Sequence, residues 1–211
     1  MQITDVSIRS AHPDALHRFY AETLGLPVHA AGDGVIVTVG ATALTVTHAE
    51  PGTDPAYHLA FTIPRNRLAL AKTWLTERTP LLTDADGWDE FRFDSWEAAA
   101  VYFADPVGTI LELIAWETLP NDAAGPFGPA DLLSVSEAGL VVDDVPATVA
   151  RLADLGFAPY RDDWSPEFAP VGDPTGRLIV VPTARPWFPV GTPAPRSRRS
   201  LSSSAVRSPP R

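Results

Sequence analysis

Two apolar stretches of this sequence each carry one ionisable residue where a plain core strand would have none. In HLAFTI, Leu59, Phe61 and Ile63 alternate with His58, Ala60 and Thr62, and in ILELIAW, Leu111 and Leu113 flank Glu112. A third stretch, ITDVSIRS, sets Val6 and Ile8 against Asp5 and Ser7. Because side chains alternate between the two faces of a strand, Asp5, His58 and Glu112 each point away from the apolar side. A carboxylate between two leucines is costly to bury without a partner. A divalent metal ion would supply one. Read singly, Glu112 also fits a rim carboxylate facing water, and His58 a hydrogen-bonded histidine inside a curved sheet.

Bringing such residues together needs a repeated framework, and the sequence has one. Three segments share an order of strand, amphipathic helix and two or three further strands. The first runs ITDVSIRS, PDALHRFYAETLG, GVIVTVG and ATALTVTHA; the second AYHLAFTIP, RNRLALAKTWLTERT, DEFRFDS, AAAVYFADPVG and TILELIAW; the third SVSEAGLVV, DVPATVARLADLG and FAPVGDPTGRLIVVPT. Apolar residues recur at three and four spacing in each helix: Leu16, Phe19, Tyr20 and Leu24; Leu68, Ala71, Trp74 and Leu75; Val145, Val149, Leu152 and Leu155. Gly25 and Gly156 stand where a helix C-cap wants a residue without Cβ. DPVG (105–108) and DPTG (173–176) read as matching turns before a final strand, Gly taking the strained position. Pro- and Gly-rich residues 117–131 read as a connector.

The chain's 211 residues, 45% hydrophobic and 20% charged, can bury a core. With no cysteine, it has no disulfide, thiolate zinc site or cysteine nucleophile. The formal net charge is -10, and the PAPRSRRSLSSSAVRSPPR tail holds five Arg and no acid, leaving -15 on residues 1–192. That balance argues against a nucleic-acid partner. Such a tail buries too little apolar surface to order itself, which predicts disorder over 193–211. The start lacks the pattern of a signal peptide, and no apolar run is long enough to span a bilayer, which predicts a cytoplasmic protein without membrane contact.

The opening strand followed by HRFYAETLGL, the phrase YHLAFTIP, and SWEAAAVYFADPVGTILELIA in that order resemble the vicinal oxygen chelate superfamily of glyoxalase I, extradiol dioxygenases, fosfomycin-resistance enzymes and bleomycin-binding proteins. The resemblance covers residues 1–118 well and 134–183 more loosely. It implies an α+β fold of paired βαβββ modules forming an open, curved-sheet barrel, plus a third βαβββ-like module. The domains expected are 1–118 with two modules, a linker over 119–131, a third module over 132–192 and the tail over 193–211. In that superfamily, the repeat-equivalent positions Asp5, Thr45, His58 and Glu112 hold metal. Asp5, His58 and Glu112 would then be metal ligands, with Glu112 catalytic and Thr45 at best a weak fourth. Extradiol dioxygenases carry two His and one Glu, and glyoxalase I four protein ligands, so neither reaction transfers directly. A divalent ion (Mn, Zn, Ni or Fe) is expected, the acidic first position favouring harder ions such as Mn²⁺, Mg²⁺ or Zn²⁺.

Around this set, Thr45, Arg92, Trp96, Tyr102 and Trp116 are the expected substrate-pocket residues, Arg92 meeting an anionic substrate. In the third module the equivalent positions are Glu137 and Val180. Glu137 reads as a solvated or salt-bridged strand carboxylate, and Trp164, Phe168, Trp187 and Phe188 as packing. Two functions are carried forward: a metal-dependent lyase, isomerase or dioxygenase-like enzyme for a small oxygenated molecule, or a metal-free drug-binding protein of the bleomycin-resistance type. An unpaired third sheet predicts a homodimer, with docking onto the first two modules as the alternative.

Overall fold

The computed structural model describes residues 1–52, 57–161, 164–183, 185–189, 192–193 and 206–207. The first segment gives β1 (Gln2–Ile3), β2 (Asp5–Ser10), α1 (Pro13–Arg18) running into a π-helical turn (Phe19–Thr23), β3 (Val28–Ala31), β4 (Gly34–Val39) and β5 (Thr42–His48). The second gives β6 (His58–Ile63), α2 (Leu68–Thr76), β7 (Phe91–Phe93), β8 (Ala98–Ala104) and β9 (Ile110–Trp116). The third gives β10 (Ser134–Val142), α3 (Val145–Asp154), β11 (Ala169–Asp173) and β12 (Gly176–Pro182), followed by the short β13 (Pro186–Trp187), β14 (Thr192–Pro193) and β15 (Val206–Arg207). Of the basic tail only the backbone of 193 and 206–207 is described, so the predicted disorder lies outside the described residues.

Each segment orders its sheet alike, the first strand lying parallel beside the last: β2-β5-β4-β3, β6-β9-β8-β7 and β10-β12-β11. Among the described residues the third is one strand short, with a Pro159–Val171 bridge at its outer edge. The fold is mixed α+β with a curled half-barrel sheet. Hydrogen bonding joins the second and third segments, through antiparallel β6 and β10, into one seven-stranded sheet. The first segment remains a separate four-stranded sheet. The third segment's sheet, whose lack of a partner predicted a homodimer, is thus joined to the second along β10 within this chain.

Strand parity sorts the core into two faces. Leu59, Phe61, Leu111 and Leu113 face α2 and the first segment, packing with Ile8, Leu16, Tyr20 and Leu75. Ala60, Tyr102, Ile114 and Trp116 line the opposite, concave face with Ile179 and Trp187. Asp144 caps α3 by accepting from the Ala147 N–H, and Pro146 in its first turn fits a position with no intrahelical donor. Leu155, placed by periodicity on the buried side of α3, is exposed because it forms the helix C-cap. Gly108 has the left-handed backbone expected of its turn; Gly176 does not, and is small because a Cβ there would meet the Met1 carbonyl at 2.7 Å.

The first of these turns carries a pH-dependent contribution to stability. Asp105 Oδ1 accepts from the N–H groups of Val107 and Thr109, while Oδ2 is buried with no partner. Burial pushes its carboxyl up to about 6, against the lowering effect of those N–H donors. The folded state thus holds a proton that the unfolded chain, with a pKa of about 3.9, has released. This residue's contribution is complete below about pH 4 and is lost as pH rises through about 6, by roughly 3 kcal/mol. Asp105→Asn keeps the Oδ1 acceptor and should remove this slope. Urea denaturation at pH 4.5 and 7.5 should show the variant gaining on the parent at the higher pH.

Candidate metal centre and aromatic cavity

Three side chains converge on the concave face from the middle of the seven-stranded sheet. His58 opens β6, Glu112 lies mid-β9 with Ala60 opposite it, and Glu137 lies in β10, also opposite Ala60 at a register irregularity. One ligand atom from each lies within 4.8 Å of the others, and all three residues are buried. His58 Nε2 stands 3.5 Å from Glu112 Oε2 and 3.7 Å from Glu137 Oε2. These separations are too long for hydrogen bonds. They resemble the edge of a tetrahedron with ligands about 2.1 Å from its centre, roughly 3.4 Å. Oxygen and imidazole donors, two of them anionic, suit a divalent cation of intermediate hardness.

The charge balance points the same way. Burial, and next the neighbouring Glu137, push the Glu112 carboxyl well above the usual range, although the Tyr102 hydroxyl donates to it. Burial and the two carboxylates likewise push the Tyr102 phenol up. One buried cation serves both acids. Arg177 Nε lies 3.6 Å from Glu137 Oε1, with the two residues paired in register across β10 and β12. Its guanidinium stacks on Trp116 at 4.0 Å, Tyr160 at 4.2 Å and Trp96 at 4.8 Å, and none of its nitrogens has a hydrogen-bond partner. With both carboxyls ionised, two carboxylates against one guanidinium leave a negative excess in a buried site, which a divalent ion would offset.

The cluster forms the floor of a cavity of about 280 Å³, at the small end of ligand sites. Phe93, Trp96, Tyr102, Phe168, Trp187 and Phe188 supply its aromatic walls. The segment after β12 returns over the sheet as β13 and sets Trp187 5.2 Å from the His58 ring. Gly139 makes room for it: a Cβ at Gly139 would stand 2.5 Å from Trp187 Cη2.

Of the residues singled out from sequence, the structure brings together His58, Glu112, Trp96 and Tyr102. Asp5 and Thr45 lie in the other sheet, Asp5 exposed, and neither joins the cluster. Trp116 shares the concave face but is buried beneath Trp96 and Arg177 instead of lining the cavity. Arg92 is exposed, its guanidinium paired with Asp94 and Glu117. Glu137, read as a solvated or salt-bridged strand carboxylate, is 2% exposed and faces His58. Phe168, Trp187 and Phe188, read as packing, line the cavity, whereas Trp164 does not. A signal for Glu137 and Arg177 was present: each is a lone charge in an apolar strand of the same segment, and either would need the other if buried.

No family model and no curated protein matches the chain. Solved structures do. A candidate dioxygenase from Bacillus subtilis subsp. subtilis str. 168 superposes with a TM-score of 0.62 at 19% identity, covering 86% of this chain and 63% of that one. Glyoxalase I from Zea mays gives 0.54 at 16% identity, covering 86% of this chain and 66% of that one. The chain has the vicinal oxygen chelate fold. It spans less than two thirds of the length of either neighbour. The first and last strands of the second and third segments, β6, β9, β10 and β12, bear His58, Glu112, Glu137 and Val180. Among the described residues no helix is long and apolar enough to cross a membrane.

Proposed function

We propose that this protein is a metal-dependent enzyme of the lyase, isomerase or dioxygenase-like kind, acting on a small molecule with neighbouring oxygens. The observation that carries this reading is the buried His58, Glu112 and Glu137 set at the floor of an aromatic cavity. A divalent ion held by these residues would supply Lewis-acid polarisation of substrate oxygens. The aromatic walls hold the apolar part of the substrate and exclude water. Glu112, hydrogen-bonded to Tyr102 and facing the cavity, is the residue we assign to proton transfer. Arg177 is a positioning residue that holds Glu137 in place. All three donors come from one chain, so the site needs no second subunit, and a homodimer would use a surface other than β10.

The alternative is a metal-free binder of aromatic drugs, favoured by the density of rings around the cavity. Elemental analysis of protein purified without chelators separates the two. Near-stoichiometric Mn, Zn, Ni or Fe in the parent and its loss in His58→Ala are expected. Parent protein that arrives empty and takes up none of these ions on dialysis would defeat the enzyme reading, and retained ligand binding in EDTA would then favour the binder.

A further inference from the structure

Three arginines of the second and third segments are paired with acids. Arg92 pairs with Asp94 and Glu117, Arg161 with Glu97, and Arg177 with Glu137. Arg185 lines the cavity and has no acid within ion-pair distance among the described residues. Its guanidinium packs over the Phe168 ring at 4.9 Å, and its backbone N–H donates to the Pro182 carbonyl, fixing the start of the segment that closes over the sheet. The residue is half-buried, and burial alone lowers its pKa, with no neighbouring anion raising it. A partly desolvated cation without a counter-ion gains most from an anion that arrives with its own apolar body.

We propose that Arg185 selects ligands that carry a carboxylate, so that this cavity takes small organic acids whose apolar body lies among Trp96, Phe168 and Phe188. This rests on the cavity being the substrate site, as proposed above, and not on the metal. The carboxylate takes the place of Arg185's missing partner through a forked pair of hydrogen bonds, which the planar guanidinium is shaped to give. A neutral or cationic ligand of the same shape leaves that guanidinium unpaired. The rim therefore works against the cationic drugs that a bleomycin-type binder would sequester.

The test is calorimetric titration of the protein as purified with 3-phenylpropionate and with 3-phenylpropionamide, which differ only in the charged group. The parent should prefer the acid by about tenfold or more. Arg185→Gln should bring the two affinities within about twofold of each other, while Arg185→Lys should keep part of the preference. Equal affinities in the parent, an unchanged preference in Arg185→Gln, or no binding of either compound at millimolar concentration would each overturn the proposal. Metal content is measured separately: an acid preference in a protein that never binds metal would sustain Arg185 and remove the metal reading.

Discussion

Glu137→Gln should lower the affinity for Mn²⁺ or Zn²⁺ by about 100-fold or more, while Asp5→Asn should leave it unchanged. Losing an anionic donor removes both a bond and the charge that balances the ion, whereas loss of an outer-shell partner already costs about 10- to 100-fold. Glutamine keeps the size and one oxygen, so β10 packing is little disturbed. The two variants distinguish the observed cluster from a site centred on the first strand of the chain, because Asp5 stands exposed in a different sheet. Competition titration against a chromophoric chelator gives the affinities directly. Similar losses in both variants, or none in Glu137→Gln, would show that the ion is held elsewhere.

Arg177→Met should be the most destabilising of the substitutions considered, at about 3–5 kcal/mol in metal-free protein. Arg177 is fully buried, and its guanidinium contacts three aromatic rings as well as Glu137. Methionine refills much of the stem volume but leaves Glu137 as a buried anion with no cation opposite. Adding Glu137→Gln to the same chain removes that stranded charge, so the double variant should be more stable than Arg177→Met alone. A coupling above about 1 kcal/mol in urea denaturation is expected for residues in one network. Strict additivity would mean that Arg177 acts only through its contacts with the rings.

Much of the fold was legible because it depends on local pattern. The alternation in HLAFTI and ILELIAW placed His58 and Glu112 on the concave face, and the three repeated segments appear with one strand order. What local pattern does not encode is which first strand pairs with which. β2, β6 and β10 each open a segment with an apolar face, and the choice depends on whole faces packing. One difference between them was nevertheless readable. β2 carries Asp5, Ser7 and Arg9 on one face, a set that suits water, while β6 offers only His58, Ala60 and Thr62 there and is buried along its whole length. Glu137 was harder to recognise because its module-mate Val180 cannot bind metal, and His58 and Glu112 both come from another segment.

The seam between β6 and β10 also bears on how the chain is made. His58 and Glu112 leave the ribosome well before Ser134, so for that interval β6 has β9 on one side and nothing on the other. An open strand edge flanked by apolar residues is a template for pairing with the wrong chain. The second segment therefore carries two of the three candidate ligands while its sheet edge is least protected. Arrival of β10 closes the edge and, in the same event, delivers Glu137.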